Sequence, residues 1–405
     1  MPFQRRVSNP SRGAARDALF RRPPMTRRLK VVHVGKFYPP YHGGMESHVE
    51  LLARLTRAEV DVEVVVSSDG PETVRETVDG VPVTRIGTRL RLASASFGPG
   101  MAKAIRAADA DVVHFHHPNP PAVLSYLAAR PRGRLVVTYH SDIVRQRVLG
   151  PLFSPLLHRF LARADAIVAS SPDYAASSPV LRRHAARVRV IPFGIDPEEL
   201  GTVDPAEVEA ERARYGPRIV LAAGRLVYYK GFAYLVRAMR RVDAHLLIAG
   251  DGPLLDELRR VAAEAGVAEK VTLLGRVPDL RPLYHAADVF ALPSVARSEA
   301  FGIVQMEAMA CGVPVVNTAL DTGVPFVSPH GVTGLTVPPA DAEALADALG
   351  TLLGDAALRG RMGRAGRARV AGELGAALMA RRTLALYHEV ASRSPGRPDP
   401  PEDVS

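Results

Sequence analysis

The chain of 405 residues has a single cysteine, Cys311, and no tryptophan. One thiol cannot form an internal disulfide, which excludes the disulfide-stapled class of small secreted proteins. No apolar run reaches the roughly 18–20 residues of a membrane-spanning helix. The arginine-rich start of the chain also lacks the apolar stretch of a secretory signal. We therefore expect a cytoplasmic protein.

Acidic residues are outnumbered: 42 aspartates and glutamates stand against 52 lysines and arginines, a formal net charge of +10. Basic proteins meet nucleic acid, anionic lipid or phosphorylated substrates. No basic patch is interleaved with aromatic residues, so nucleic acid is not expected as a partner. A peripheral contact with the inner face of the cell membrane stays open. Much of the excess lies in residues 1–28, which we predict to be a disordered tail, with Met25 as an alternative start.

The alternation of short β-branched runs with helical patterns predicts an α/β protein with parallel sheets. Its length suffices for two domains. We predict domains at residues 29–195 and 218–370, a linker at 196–217, a last helix at 371–390 and a disordered tail at 391–405. The predicted strands are residues 29–34, 62–66, 81–86, 111–115, 135–139, 166–169, 187–191, 219–222, 245–248, 271–274, 289–292 and 313–316.

The segment from Ser298 to Gly312 carries the most information. Glu299 and Glu307 stand eight positions apart, and a helix is predicted to start just after Glu299. A helix N-terminus offers unpaired N–H groups that suit a phosphate. Glu299 could then accept hydrogen bonds from sugar hydroxyls, and Glu307 from the two hydroxyls of a ribose. The alternative is that both glutamates are solvated and their apolar neighbours fill a core.

Two glycine-containing loops follow predicted strands, where α/β domains bind their ligands. Gly43 and Gly44 precede a predicted helix and could bring N–H groups against a phosphate, or simply form a turn. The loop lacks the G-x-G-x-x-G fingerprint, which disfavours an NAD-dependent dehydrogenase. Arg225 and Lys230 could converge on a diphosphate. A surface loop with two cations is the alternative.

Histidines mark the end of another predicted strand. His140 could hydrogen-bond a sugar hydroxyl or orient the reacting centre, and a structural pairing with Asp142 is the alternative. The run that contains His114, His116 and His117 raises the question of zinc. No carboxylate or cysteine cluster accompanies these residues in the sequence, so no metal site is predicted.

Together these motifs resemble the retaining glycosyltransferases of family 4, whose two Rossmann-like domains face each other across a cleft in the GT-B arrangement. The resemblance extends over roughly residues 29–390. Its segments are Gly43-Gly44, residues 139–141, residues 191–196, residues 224–231, residues 250–253 and the pair Glu299 and Glu307.

The resemblance implies an enzyme that moves a hexose from a nucleotide-diphosphate sugar to a glycan, lipid-linked or small-molecule acceptor, with no cofactor and no metal. The first domain would hold the acceptor and the second the donor. The residues implied in catalysis are His140, Arg225, Lys230 and Glu299. The residues implied in donor binding are Gly43, Gly44, Arg276, Val277, Phe301, Gly302, Ile303, Val304 and Glu307.

The sequences of the loops before Pro40 and Gly231 resemble those of bacterial mannosyl- and rhamnosyl-type transferases of surface polysaccharide assembly. A mannose-like sugar is therefore favoured. Tyr228 and Tyr229 stand where many members carry Pro-Glu. No carboxylate is obviously placed as a nucleophile, which favours same-face substitution with retention. A nucleotide-sugar epimerase of the same fold and a non-enzymatic sugar-binding protein are the alternatives.

Overall fold

The computed structural model describes residues 27–41, 43–92, 95–98, 100–142, 149–201 and 203–393. The described residues form two α/β domains, each built on one parallel-dominated sheet. The strands are β1 (Lys30–Val34), β2 (Asp61–Ser67), β3 (Val74–Val78), β4 (Val81–Ile86), β5 (Leu90–Leu92), β6 (Ala95–Phe97), β7 (Val112–His117), β8 (Arg134–Tyr139), β9 (Ala166–Ala169), β10 (Val188–Val190), β11 (Ile219–Ala223), β12 (His245–Ala249), β13 (Val271–Gly275), β14 (Val289–Leu292), β15 (Val315–Thr318) and β16 (Gly334–Val337).

Helices connect most of the parallel strands and cover both faces of each sheet. The α-helices are Gly44–Thr56, Met101–Ala107, Pro120–Ala129, Leu149–Leu161, Pro172–Ser177, Pro179–Arg183, Pro197–Gly201, Pro205–Tyr215, Phe232–Ala238, Leu255–Glu264, Arg281–Ala286, Ile303–Ala310, Gly323–Val327, Ala342–Gly354, Ala356–Gly372 and Ala376–Ser392. Short 3₁₀ turns lie at Ala185–Arg187, Tyr228–Lys230, Met239–Arg241 and Ala268–Lys270. Among these helices, none combines the length and the apolar character that a bilayer crossing requires.

The first sheet has the strand order β10-β9-β8-β7-β1-β2-β4-β3, and only β3 runs antiparallel to its neighbour. The second sheet, β13-β12-β11-β14-β15-β16, is parallel throughout. The central strands are continuous apolar runs because helices bury both of their faces; every residue of β11 and β14 is buried. The predicted α/β class with parallel sheets is confirmed.

The two domains pack against each other, and each contributes residues to the hydrophobic core of the other. Phe193 and Ile195, which follow the first sheet, are buried in the core of the second domain. Ala300, from the second domain, is buried in the core of the first. Burying such surfaces between the domains stabilises the arrangement at roughly 25 cal/mol per Å² of apolar area.

The chain crosses between the domains twice, at one place. The N–H of Ile195 donates to the carbonyl of Leu374 at 3.1 Å, and the N–H of Ala376 donates to the carbonyl of Ile195 at 2.8 Å. A side chain at Gly194 would lie 2.8 Å from the backbone of Ala376, so glycine is required for this close approach. The helix Ala376–Ser392 then packs on the first domain.

Several predicted boundaries need correction. The helix predicted at 371–390 begins at Ala376, because the second crossing separates it from the helix Ala356–Gly372. The predicted linker at 196–217 contains two helices. Arg27 and Arg28, assigned to a disordered tail, form ion pairs with Asp111 and Asp61 of the first domain. At the other end, the last helix extends to Ser392, beyond the predicted start of the tail. The rest of both predicted tails lies outside the described residues.

Candidate active site

Lys230 and Glu299 form a buried ion pair beyond the C-terminal ends of two central strands, β11 and β14, of the second sheet. Lys230 lies in the turn after β11, and Glu299 in the loop between β14 and the helix Ile303–Ala310. The ammonium nitrogen of Lys230 is 2.7 Å from Oε2 of Glu299, and each side chain is 10 % exposed. Gly224 makes room for Lys230, because a Cβ at position 224 would lie 3.1 Å from its Nζ. The structure therefore brings these two predicted site residues together.

The charge on Lys230 is maintained by its partner. Burial alone would lower the pKa of Lys230, but the negative charge of Glu299 and their hydrogen bond outweigh burial and raise it above 10.5. The hydroxyl of Ser294 donates to the same Oε2 at 3.0 Å. Among the described residues, none is hydrogen bonded to Oε1 of Glu299. That oxygen is the one available to a ligand.

The two loops that carry the ion pair are joined by backbone contacts. The N–H of Val295 donates to the carbonyl of Tyr229 at 2.8 Å. The hydroxyl of Thr318, at the end of β15, donates to the carbonyl of Ser294 at 2.6 Å. These hydrogen bonds connect the C-terminal ends of three neighbouring strands, β11, β14 and β15. Parallel sheets place their ligand sites at the C-terminal ends of their strands.

The helix Ile303–Ala310 begins beside this pair. Gly302 has φ of 78° at the N-cap, and a Cβ there would lie 2.6 Å from the side chain of Leu292. The buried amide of Gln305 fixes the turn by donating to the carbonyl of Phe301 at 2.8 Å. The first N–H groups of a helix, here from Ile303 and Val304, have no intrahelical partner. They lie where the sequence predicts an anion-binding helix end.

Glu307 lies one turn further along the same helix. The hydroxyl of Tyr284 donates to its Oε2 at 2.6 Å. Burial raises the pKa of Glu307, while the Tyr284 hydrogen bond and the charge of Lys230 oppose this. The charge of Lys230 therefore acts on Glu307, which lies on the helix that follows the Glu299 loop.

The glycine loop of the first domain reaches this helix across the cleft. Gly43 caps the helix Gly44–Thr56 with extended backbone, and the N–H of Ser47 donates to its carbonyl at 2.9 Å. A Cβ at Gly44 would lie 3.7 Å from Cδ1 of Ile303. Gly44 therefore lies close to the first residue of the helix Ile303–Ala310, while a Cβ at Gly43 would meet only the side chain of Glu46.

His140 ends β8 on the first-domain side of the cleft. Its Nε2 lies 3.1 Å from Nδ1 of His116, whose Nε2 lies 3.0 Å from Nδ1 of His33. Burial, then the nearby His48 and His117, lower the pKa of His140 well below 6.5, so the ring is neutral. The alternative pairing with Asp142 is wrong, since His140 contacts His116 instead.

Phe193 connects His140 to the second domain. The ring centroids of His140 and Phe193 are 5.0 Å apart, and those of Phe193 and Phe301 are 5.1 Å apart. The neutral imidazole of His140 thus belongs to the same interdomain region as the loop that carries Glu299.

The remaining predicted residues lie around the edge of the site. Arg225 is exposed. Burial raises the pKa of Tyr229, and the charges of Lys230 and Arg225 oppose this rise while that of Glu299 adds to it. Arg276 and Val277 follow β13 at the outer edge of the second sheet, where Arg276 is exposed and Val277 is partly buried. They stand two strands away from β11.

Two groups of buried histidines have ring nitrogens close enough for a metal ion: His33, His114 and His116, and His48, His116 and His140, each within 4.8 Å. His116 belongs to both groups, and its two ring nitrogens already pair with His33 and His140. No carboxylate of the described residues joins either group. In the described residues, His116 thus links His33 and His140 in a hydrogen-bonded chain of imidazoles.

Comparison with known proteins identifies the family. The family model "Glycosyltransferase Family 4" matches residues 42–199, and "Glycosyl transferases group 1" matches residues 204–369. The chain is 37% identical to D-rhamnosyltransferase WbpZ of Pseudomonas aeruginosa over 79% of its length and 86% of that protein. The chain belongs to glycosyltransferase family 4.

Two further relatives of this glycosyltransferase are named as mannosyltransferases. It is 34% identical to O-antigen chain mannosyltransferase C of Escherichia coli, over 84% of its length and 93% of that protein. It is also 34% identical to the GDP-mannose-dependent alpha-(1-6)-phosphatidylinositol monomannoside mannosyltransferase of Mycolicibacterium smegmatis, over 82% of its length and 91% of that protein.

Solved structures share the GT-B arrangement of this glycosyltransferase. A sucrose-phosphate synthase from Thermosynechococcus elongatus superposes with a TM-score of 0.77 at 26% identity, over 91% of this chain and 100% of that one. Anabaena Alr3699/HepE in complex with UDP-glucose superposes with a TM-score of 0.75 at 21% identity, over 89% and 100%. The predicted fold is confirmed.

Sequence reasoning missed several residues of the candidate site. Ser294 carried a signal, since it follows the predicted strand 289–292. Tyr284 and Arg297 carried none, because their partners Glu307 and Asp142 are 23 and 155 positions away.

Proposed function

We propose that this glycosyltransferase moves a mannose or rhamnose-like hexose from a nucleoside-diphosphate donor, with guanosine favoured, to a hydroxyl of a glycan or lipid-linked acceptor. The printed names of the relatives, rhamnosyltransferase and GDP-mannose-dependent mannosyltransferase, support this choice of sugar and base. The O-antigen chain and phosphatidylinositol monomannoside in those names support an acceptor that already carries sugar.

The observation that carries the proposal is the Lys230–Glu299 pair beside an uncapped helix N-terminus. In the proposed complex, Oε1 of Glu299 accepts hydrogen bonds from the hydroxyls of the transferred sugar, and the N–H groups of Phe301 and Gly302 support it. Lys230 and the N–H groups of Ile303 and Val304 face the diphosphate. Cations and oriented N–H groups fixed in place before the reaction stabilise charge that develops in the transition state.

The outer parts of the donor follow from the same placement. Glu307, held by Tyr284, accepts the two hydroxyls of the ribose through its free oxygen. The backbone at Arg276 and Val277 meets the base. Gly43 and Gly44 allow the first domain to approach the phosphates closely, since a glycine carries no Cβ.

In the proposed reaction, the bond between the anomeric carbon and the leaving phosphate oxygen breaks, and a bond from the acceptor oxygen forms on the same face. The leaving phosphate takes the acceptor proton, and the anomeric configuration is retained. The contacts of Asp142, two residues after His140, support this route. Its Oδ1 accepts hydrogen bonds from Tyr139 and Ser178 and its Oδ2 lies near Arg297, contacts that make the carboxylate a weaker nucleophile.

We also propose that no metal ion takes part in the transfer. The leaving diphosphate gains negative charge, and Lys230, Arg225 and the helix N-terminus offer positive charge in fixed positions. EDTA should then leave the transfer rate unchanged.

A donor screen tests the proposal. Thermal unfolding is measured with GDP-mannose, UDP-glucose, dTDP-rhamnose and ADP-glucose, because a bound donor raises the melting temperature by mass action. The best donor is then incubated with a mannosylated lipid or O-antigen fragment, and proton NMR reads the anomeric configuration of the product. Turnover of donor alone into an epimer, or a product with inverted configuration, would contradict the proposal.

A further inference from the structure

Arg297 lies in the loop between β14 and the helix Ile303–Ala310, which also carries Glu299, and its side chain reaches the first domain. Its Nη2 lies 3.3 Å from Oδ2 of Asp142, and its Nη1 donates to the hydroxyl of Ser177 at 3.1 Å. The guanidinium carbon lies 5.6 Å from the ring centroid of Tyr174. Nη1 also donates to the carbonyl of Asp321 in its own domain at 2.5 Å. One side chain therefore joins both walls of the cleft.

The contacts on the first domain hold Asp142 in a fixed place. The hydroxyls of Tyr139 and Ser178 donate to its Oδ1 at 3.0 and 2.8 Å. Its backbone N–H donates to the hydroxyl of Tyr174 at 2.6 Å. Two first-domain side chains thus orient the carboxylate, and Tyr174 holds the backbone at Asp142. A carboxylate already held by neighbours loses less entropy when it pairs with an arginine.

The contact between Arg297 and Asp142 matters because each residue is close in sequence to a predicted catalytic residue. Arg297 stands two residues before Glu299, and Asp142 two residues after His140. Two residues span at most about 7 Å of extended chain. The pairing of Arg297 with Asp142 therefore limits how far apart the backbones of Glu299 and His140 can move. The side chains are 30% and 15% exposed, so solvent screens this pair less than a fully exposed one.

We propose that Arg297 is a positioning residue that sets the separation between His140 and Glu299, so that both reach the same sugar. The inference rests on the proposed function, because it assumes that these two residues meet one ligand. Arg297 acts through Asp142, and the planar guanidinium suits a contact shared among a carboxylate, a hydroxyl and a carbonyl.

Steady-state kinetics of four variants test this role: Arg297→Ala, Arg297→Lys, Asp142→Asn and the double variant Arg297→Ala/Asp142→Asn. We expect kcat to fall at least tenfold in Arg297→Ala while the Kd of GDP, measured by calorimetry, stays within about twofold. Lysine should restore part of kcat. The double variant should be no slower than the slower single variant, because both changes break one contact. Arg281→Ala is the matched control, since Arg281 pairs with Asp279 within the second domain.

Two results would overturn the inference. A loss of GDP affinity as large as the loss of kcat would make Arg297 a direct donor ligand. Rate losses of Arg297→Ala and Asp142→Asn that multiply in the double variant would mean that the two residues act separately. Circular dichroism confirms that each variant is folded before kinetics are compared.

Failure of the proposed function gives a different result. If the wild-type chain binds none of the nucleotide sugars, the donor assignment fails, but the contact can still be tested. Small-angle X-ray scattering then compares the radius of gyration of the wild type, Arg297→Ala and Arg281→Ala. Expansion in Arg297→Ala alone supports a contact that sets domain separation, and equal radii in all three contradict it.

Discussion

Lys230 Nζ lies 2.7 Å from Oε2 of Glu299, with little solvent around either group. Removal of one partner leaves the other as an unpaired buried charge, which costs about 3–5 kcal/mol in comparable sites. Replacement of both by uncharged residues of similar shape avoids that cost. A comparison of single and double variants of this pair can therefore separate an effect on stability from an effect on catalysis.

We predict that Glu299→Gln and Lys230→Met each destabilise the protein more than the double variant Lys230→Met/Glu299→Gln does, in urea unfolding. Transfer should fall on the order of 10²-fold or more in all three, because each lacks a group that stabilises transition-state charge. A Lys230→Ala variant that retains full donor turnover would remove Lys230 from the diphosphate site. Arg218→Ala, which breaks an exposed ion pair with Asp243, is the control.

Gly302 offers a test of the helix start. Gly302→Ala places a side chain on a backbone with φ of 78° and against Leu292, so we predict a loss of about 2–4 kcal/mol together with weaker GDP binding. Gly266→Ala is the matched control. Gly266 also has positive φ, but a Cβ there meets no atom within 4 Å. Only the backbone cost of about 1–2 kcal/mol is then expected. Equal losses in the two variants, measured by urea unfolding, would show that contact with Leu292 does not matter.

The sequence predicts most parallel strands because strands buried on both faces consist of short continuous runs of apolar residues. Central strands such as β11 read as continuous apolar runs, and their apolar character does not depend on distant residues. The strand β3 was missed because four of its five residues are exposed and polar residues interrupt it. The turn Asp79-Gly80 after β3 has φ of 48° and 76°, the type I′ pattern that marks a hairpin, and this signal was present in the sequence.

The candidate site was only partly accessible to sequence reasoning. Motifs after strands indicate which loops meet at a sheet edge, and Lys230 and Glu299 do meet there. The second crossing of the chain brings Tyr387 to within 2.6 Å of His114, a contact between residues 273 positions apart. Such contacts depend on how the domains pack, and no local pattern in one sequence records them.

The hydrogen bond from Tyr284 to Glu307 has a consequence for donor binding. It counteracts the rise that burial causes in the pKa of Glu307. We predict that Tyr284→Phe raises this pKa further, so that a larger fraction of Glu307 is protonated and cannot accept both ribose hydroxyls. The Kd of GDP should be similar to wild type at pH 8 and clearly weaker at pH 5.5, by calorimetry. A loss of affinity that is the same at both pH values would contradict this account. Tyr234→Phe, on a helix of the same domain, is the control.

Buried histidines of the first domain should make stability fall in mild acid. Burial, with the charge of His48, lowers the pKa of His33 from 6.5 to about 3, and burial lowers that of His48 to about 4. Between pH 6.5 and 4 the unfolded chain therefore binds more protons than the folded chain, and stability is lost as the pH falls through this window. Each such histidine contributes up to about 1.4 kcal/mol per pH unit. We predict that His33→Gln makes the slope of unfolding free energy against pH shallower by about one proton, in urea titrations from pH 4.5 to 7.5. The same change at the exposed His388 is the control, and an unaltered slope in His33→Gln would show that His33 takes up its proton in the folded protein as readily as in the unfolded one.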